Sequence, residues 1–242
     1  MNTRLSLALL LLVCLAAQTF SEPLKLISTS PQFWATNVNS GTQRTVSVTF
    51  DQRLRSTLTD WIGLDVLSPP SDLQTKYSAD HTSCSIDVHL EPGHVYVCAL
   101  NGRGLPGVGF QNEKGFTLPA TFLVFQTAGN VAPQDAPPRV IRTIPQHGAI
   151  IDPRRVQSLA ITFDKPMNVK KHGVHMFENN NPVDLSKAQF AYSADGMTFT
   201  LAHAFKPATQ YRFELNDVHD IGFSAATRVP LWPVQLSFTT GQ

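Results

Sequence analysis

Short segments with apolar residues at every second position recur along the whole chain. Residues 46–50 read Val-Ser-Val-Thr-Phe, and residues 159–163 read Leu-Ala-Ile-Thr-Phe. A period of two with one apolar face is typical of a half-buried β-strand. Further strands are predicted near residues 24–28, 61–66, 83–88, 95–100 and 122–127. No stretch has a sustained helical period, so the pattern predicts an all-β protein.

The chain also repeats itself. The segment Tyr77-Ser78-Ala79-Asp80 recurs as Tyr192-Ser193-Ala194-Asp195, which lies 115 positions later, and the alignment continues without a gap to Asn101 and Asn216. With small changes of offset, the alignment extends over about 100 residues of each copy. A match of this length indicates two copies of one domain.

Each copy carries the pattern of an immunoglobulin-like sandwich. About seven short strands in about 100 residues, separated by turn residues such as those at 68–71 and 91–93, are typical of that fold. We therefore predict two tandem Ig-like Greek-key β-sandwich domains at residues 22–127 and 139–242. Between them, residues 128–138 contain Pro133, Pro137 and Pro138. Such a spacer favours extended, semi-rigid chain, so we expect the linker to hold the domains apart.

A corner motif occurs once in each copy. Leu90-x-Pro92-x-x-x-Tyr96 corresponds to Phe205-x-Pro207-x-x-x-Tyr211. In Ig-like domains a tyrosine at this position, two residues before a core position, bonds back to the backbone of the preceding turn. The motif predicts that bond in both domains.

The N-terminus has the features of an export signal. Arg4 precedes an apolar run of thirteen residues at 5–17. That run is shorter than the roughly 20 residues that span a bilayer, but it suits a signal peptide, predicted at residues 1–21. Cleavage after Ala16, Ala17 or Ser21 is compatible with the small residue at each cut. A lipoprotein signal is disfavoured by bulky Val13, and no later segment predicts a membrane span.

The mature chain is close to neutral. Removal of Arg4 lowers the count of Lys plus Arg from 19 to 18, against 18 Asp plus Glu. A neutral surface gives no electrostatic reason to expect nucleic acid or an anionic membrane as partner.

The motifs resemble the bacterial SbsA-type Ig-like domain family. The second copy carries its segments Thr143-Ile144-Pro145, Ile161-Thr162-Phe163-Asp164-Lys165-Pro166-Met167, Tyr192-Ser193-Ala194-Asp195-Gly196 and Phe238-Thr239-Thr240. The first copy is looser, with Gln52-Arg53-Leu54 for Lys-Pro-Met and His81 for the turn glycine. The loops that contain residues 102–115 and 220–223 depart furthest from the family pattern. The resemblance implies a periplasmic, cell-surface or secreted spacer or adhesive module, and it implies no catalytic residue or cofactor.

The cysteines predict a disulfide. Cys14 lies in the predicted signal, which leaves Cys84 and Cys98, and an even pair in an exported chain is most simply a disulfide. These positions align with Phe199 and Phe213 of the second copy. We expect them on opposite sheets of the first domain, facing each other in the core.

Three aromatic residues are candidates for binding a partner. Phe33 and Trp34 occupy a turn that the second copy fills with His147-Gly148, and Trp232 lies between two prolines. Exposed aromatic side chains beside turns stack on sugars or anchor protein partners. The alternative is that they cap the ends of the sandwich core.

Histidines provide only weak metal candidates. His172 and His175 have a spacing that places them on opposite faces of a strand, and His219 lies in a distant loop. A zinc or copper site needs three or four converging ligands. A periplasmic carrier of a metal ion, similar to the copper carriers, or of another small ligand remains the alternative function, although none of the cleavage sites exposes an N-terminal histidine.

No motif points to an enzyme. Residues 102–107 satisfy G-x-G-x-x-G, but Pro106 interrupts them and no helix follows, as a dinucleotide site requires. The sequence has no G-x-S-x-G elbow. Asp51 and Asp164 end matched strands, where aspartates bond turn amides. We predict a non-catalytic binding or scaffold protein of the cell envelope, without cofactor, that presents its domains to a protein or glycan.

Overall fold

The computed structural model describes residues 22–55, 61–63, 75–101 and 109–242. The predicted signal peptide, the turn at 68–71 and the glycine motif at 102–107 lie outside these ranges. The described residues form seventeen β-strands. Within those ranges, no helix has the length and apolarity needed to cross a membrane.

The first domain is a sandwich of two four-stranded sheets. One sheet has the order β1-β3-β6-β5 and the other the order β2-β8-β7-β4. The strands are β1 (Leu26–Ser30), β2 (Ala35–Val38), β3 (Thr45–Phe50), β4 (Trp61–Gly63), β5 (Thr75–Tyr77), β6 (Ser83–Asp87), β7 (Val95–Leu100) and β8 (Thr121–Thr127). All pairings are antiparallel except β2 with β8, which is parallel.

The second domain has the same topology for the eight equivalent strands, and it also contains β13, whose equivalent positions lie outside the described residues of the first domain. Its sheets have the orders β14-β15-β11-β9 and β10-β17-β16-β12-β13. The strands are β9 (Val140–Ile144), β10 (Ile150–Ile151), β11 (Ser158–Phe163), β12 (Val174–Glu178), β13 (Asn181–Pro182), β14 (Gln189–Tyr192), β15 (Thr198–Ala202), β16 (Gln210–Leu215) and β17 (Val234–Thr240). The chain thus consists of two tandem Ig-like β-sandwiches, as the strand pattern predicts.

Alternating side chains fill the two cores. Every second residue of β3 is buried, and β11 shows the same alternation. Phe50 and Phe163 end these strands at 1% and 0% exposure. Because hydrophobic stabilisation scales with the apolar area removed from water, the buried face of each strand stabilises its own sandwich.

The predicted tyrosine corner is present in both domains. The Tyr96 hydroxyl accepts a hydrogen bond from the backbone N–H of Glu91 at 2.7 Å. The Tyr211 hydroxyl accepts one from the N–H of Lys206 at 2.6 Å. Each bond connects the turn that precedes β7 or β16 to the strand itself.

The aspartates at the matched strand ends have a structural role. Asp51 Oδ1 accepts a hydrogen bond from the backbone N–H of Lys25, and Asp164 Oδ1 accepts one from that of Arg139, both at 2.8 Å. Each carboxylate thus fixes the start of its domain to the end of the next strand of the sheet.

The first strand of each domain is interrupted by a bulge. The register between β1 and β3 shifts at Ile27, and the register between β9 and β11 shifts beside Ile141. These isoleucines are 63% and 60% exposed. Both strands lie at the edge of a sheet, and an irregular edge strand is a poor template for further pairing.

The two cysteines of the predicted disulfide lie in the core of the first domain. Cys84 and Cys98 lie on opposite sheets and are each 2% exposed, but no disulfide joins these two described residues. Cys84 packs in a cluster with Phe50 and Phe110, whereas Cys98 packs with Phe125. The two positions therefore belong to different parts of the core.

The corresponding phenylalanines lie in one continuous cluster of the second domain, where they have different ring partners. Phe199 packs edge-on against Phe223 with ring centroids 5.0 Å apart, whereas Phe213 stacks on Phe238 at 5.7 Å. Alignment identified the sheet on which each position lies, but it did not identify which part of the core each side chain fills.

Candidate functional site at the interdomain junction

The linker does not hold the domains apart, and that expectation is wrong. Lys165 of the second domain extends its ammonium group to the linker, where Nζ donates to the carbonyls of Pro133 at 2.6 Å and Ala136 at 2.7 Å. Thr227 Oγ1 donates to the carbonyl of Gln134 at 3.2 Å. The proline-rich segment is therefore bound along the second domain. The two sandwiches are also in direct contact with each other.

An apolar cluster joins the two domains. Val95, Val97 and Val124 of the first domain pack with Val229 of the second, and each is at most 1% exposed. Partly buried hydrophobic residues surround this group, namely Trp34, Phe122, Ile221 and Trp232. We refer to these eight residues as the junction cluster.

The burial of β7 shows how the junction changes the first domain. All six of its residues are buried, whereas the equivalent strand β16 alternates between buried and more exposed residues. The sandwich core covers one face of β7, and the second domain covers the other. The sequence carries the signal, because residues 95–100 are continuously apolar whereas 210–215 alternate. Continuous apolar strands are typical of burial on both faces.

The two candidate tryptophans meet in the junction. Trp34 and Trp232 contact edge to face with ring centroids 5.5 Å apart, and Trp232 Nε1–H donates to the Trp34 carbonyl at 2.9 Å. Phe33, in contrast, packs against the core of the first domain. Phe33 therefore covers the core of the first domain. The indole rings of Trp34 and Trp232 are partly buried between the two domains.

Backbone groups reinforce the contact. The N–H of Phe122 donates to the carbonyl of Val218 at 2.7 Å. His219 Nδ1 lies 2.9 Å from the carbonyl of Ala120, so this nitrogen carries the proton and donates it. These bonds fix the direction of approach, which apolar packing alone does not specify.

The three histidines that were weak metal candidates have separate partners. His172 lies against the Phe190 ring, with centroids 4.0 Å apart, and burial lowers its pKa although the nearby Asp220 carboxylate opposes that shift. His175 Nε2 is 3.5 Å from the Asp217 carboxylate. His219 belongs to the junction. Within the described ranges, no cluster of three or more His, Cys, Asp or Glu side chains could hold a metal.

A groove of about 700 Å³ runs along one side of the junction. Thr36 and Gln126 contribute from the first domain, and linker prolines together with Trp232 form its apolar lining. At its rim, Arg139 Nε donates to Asp164 Oδ2 at 2.9 Å. Burial opposes ionisation of Asp164, but the bonds from Arg139 outweigh it and lower the pKa of this carboxyl.

The chemistry of this groove suits binding through an aromatic face and a fixed polar rim. A pocket with an apolar lining and a few oriented polar groups is the common form of a ligand site. Both domains contribute to it, so its shape depends on the junction. A second groove of about 580 Å³ is lined by Phe122, Lys171, His219 and Arg228, among others.

Fold and junction define a protein with two tandem Ig-like domains in contact. Residues 134–240, which contain the second domain, match the family of bacterial Ig-like domains. Residues 134–240 are therefore similar to a bacterial Ig-like domain. No curated protein matches the chain.

Several solved structures resemble the chain at low identity. A chimeric titin Z1Z2 functionalised with a KLER exogenous peptide from decorin is 11% identical, with a TM-score of 0.26 and coverage of 90% of this chain and 95% of that chain. Dpr2 Ig1–Ig2 in complex with DIP-Theta Ig1–Ig3 is 12% identical, with a TM-score of 0.28 and coverage of 90% and 99%. Rst D1–D2 is 10% identical, with a TM-score of 0.27 and coverage of 90% and 100%.

Proposed function

We propose that this protein is an exported, non-catalytic binding or scaffold protein of the cell envelope. Its two Ig-like domains act as one rigid unit that presents the groove beside Trp232 to a protein or glycan. The junction cluster is the observation that carries this proposal. Tandem domains joined by a flexible linker move independently, whereas a buried apolar interface restrains them.

Rigidity matters for binding because it lowers the entropic cost of association. A ligand that contacts both domains does not have to order them when the junction has already done so. In the groove, Trp232 supplies an aromatic surface, and Gln126 and the Arg139–Asp164 ion pair supply hydrogen-bonding groups at fixed positions. Such a combination suits the flat faces and hydroxyl groups of a glycan, and equally a protein side chain with a polar end.

We also propose that both domains are of SbsA type and arose by duplication. Equivalent residues make equivalent bonds, as shown by the corners at Tyr96 and Tyr211 and by the strand-end carboxylates of Asp51 and Asp164. Bacterial Ig-like domains are often extracellular or at the cell surface, which supports export through the signal peptide predicted at residues 1–21.

Rigidity is tested on the purified mature chain by residual dipolar couplings. One shared alignment tensor for both domains is expected, and two independent tensors would contradict a rigid unit. Lys165→Met removes the bonds to the linker and should increase interdomain motion, whereas Lys170→Met on the exposed surface should not.

Export and binding are tested separately. Expression of the full chain in a Gram-negative host should yield periplasmic or secreted protein lacking 16, 17 or 21 residues, as measured by mass spectrometry. A panel of bacterial envelope oligosaccharides is then titrated against the labelled protein, with the Trp232 indole N–H signal as readout. Saturable shifts that Gln126→Ala weakens are expected for a glycan ligand, and their absence for the whole panel favours a protein partner. Retention of the full chain in the cytoplasm would contradict export.

A further inference from the structure

Trp34 has a backbone conformation that tryptophan rarely adopts. Its φ is 59°, in the left-handed region where bulky side chains are uncommon and unfavourable. The equivalent residue of the second domain is Gly148, with a φ of 78°. Both turns make the same bond to the last strand of their domain: Trp34 N–H donates to Val124 at 2.6 Å, and Gly148 N–H donates to Ser237 at 2.7 Å. The turn itself therefore requires a left-handed residue, and glycine meets that requirement without strain.

Packing in the sandwich core of the first domain does not account for the tryptophan. The neighbouring Phe33 covers the core of that domain, whereas Trp34 belongs to the junction cluster. Its ring lies against Trp232, and its carbonyl accepts the Trp232 indole N–H. The residue that bears the backbone strain is thus the residue that contacts the other domain from this turn.

We propose that Trp34 is a dedicated docking residue, retained in a strained conformation because it binds the second domain through Trp232. The first domain loses stability of its own at this turn, and the junction gains an aromatic contact. Replacement of Trp34 by glycine should therefore relieve the backbone strain in the first domain while it weakens the closure of the junction. This inference concerns how the interdomain geometry is fixed, and it does not depend on which ligand the protein binds.

The second domain offers a matched control for backbone strain. A Cβ atom added at Gly148 would meet no heavy atom within 4 Å. Gly148→Ala therefore tests the effect of a left-handed φ on a residue with a Cβ, without a steric clash. In the first domain, the comparison of Trp34→Ala with Trp34→Gly isolates the same effect, because both variants lack the ring.

The experiment is hydrogen exchange by NMR on the mature two-domain chain and these three variants. Amides of β3 and β6 report the first domain, amides of β11 and β15 report the second, and the Phe122 N–H and the Trp232 indole N–H report the junction. Trp34→Ala and Trp34→Gly should both accelerate exchange at the junction by about tenfold. Trp34→Gly should protect β3 and β6 roughly fivefold better than Trp34→Ala. Gly148→Ala should weaken protection of β11 and β15 by roughly fivefold and leave the junction unchanged.

Three results would each overturn the proposal. Unchanged exchange at the junction in Trp34→Ala would show that the ring does not hold the domains together. Equal protection of β3 and β6 in the Ala and Gly variants would show that the turn is not strained. Acceleration of the junction groups only to the same degree as β3 and β6 in Trp34→Ala would show general loosening of the first domain rather than a docking role.

Discussion

Asn101 and Asn216 make the same three hydrogen bonds in the two domains. Asn216 Nδ2 donates to the carbonyls of Phe223 and Leu231, both at 2.8 Å, and its Oδ1 accepts from the Phe223 N–H at 2.9 Å. Asn101 makes the equivalent bonds at 2.6 to 3.0 Å. The two residues are 7% and 2% exposed, with φ values of 57° and 56°. Each Asn directly follows its strand, β7 or β16, and bonds residues that lie further along the chain to the end of that strand.

Asn216→Ala should strongly destabilise the second domain. The change leaves buried carbonyl and N–H groups without their partner, and each such group costs about 1–3 kcal/mol. A loss of about 3 kcal/mol or more is expected in urea denaturation followed by circular dichroism. Asn181→Ala, at an exposed hairpin position, is the control and should have a small effect. A small effect of Asn216→Ala as well would show that water replaces the amide.

Loss of the tyrosine corner should change both stability and its pH dependence. Tyr211→Phe removes the acceptor of the Lys206 N–H and should cost about 1 kcal/mol at neutral pH. Burial raises the pKa of Tyr211, although the bond from Lys206 opposes the shift. The folded state thus holds this proton more tightly, so the contribution is complete below the unfolded pKa of about 10 and is lost as pH rises through the folded pKa.

Urea midpoints measured from pH 7 to pH 11 should therefore fall above about pH 10 in the wild-type protein. The decline should be smaller in Tyr211→Phe, because one of the buried phenols is gone. Equal slopes for the two proteins would contradict the assigned role of Tyr211.

The thiol of Cys84 should be unreactive in the folded protein. Burial raises the pKa of Cys84 to about 12, and the thiolate is the reactive form. Ellman's reagent at pH 8 should therefore label this residue only after unfolding, with Cys84→Ala identifying its share of the signal. Rapid labelling of the native protein would contradict its burial. Failure to label after unfolding without reductant would show that Cys84 is oxidised in the purified protein.

The second domain should fold without the first. Residues 138–242 contain all strands from β9 to β17 and their own tyrosine corner. We expect a well-dispersed proton–nitrogen NMR spectrum for this fragment. The free energy of unfolding of the fragment should be lower than that of the same domain in the full chain, because Trp232 and Ile221 become exposed to solvent. A disordered spectrum would contradict the assignment of two independent domains.

Short apolar patterns predicted seven of the seventeen described strands because they report local geometry. β3 and β7 match residues 46–50 and 95–100 almost to the residue. The corner at Tyr96 was predictable for the same reason, since its bond spans five residues. The short parallel strand β2 was not predicted, because its four residues pair with a strand far along the chain.

Contacts between the domains were not predictable from periodicity. Trp34 and Trp232 were identified as unusual, but the partner of each is the other, 198 positions away in sequence. Strand patterns specify which face of a sheet is apolar, and they do not specify how two sandwiches are oriented. The unbroken apolar run of β7 was the available signal, and only comparison with the alternating β16 shows its meaning.

The bulges at Ile27 and Ile141 have a consequence for a chain that carries two such similar folds. A straight, unpaired edge strand can pair with the matching strand of another molecule, above all while chains are incompletely folded. In both domains the first strand is irregular at this outer position, so an incoming strand finds a broken row of backbone partners. Because the irregularity occurs in both domains, we expect neither of these two edges to serve as a template for pairing between neighbouring molecules.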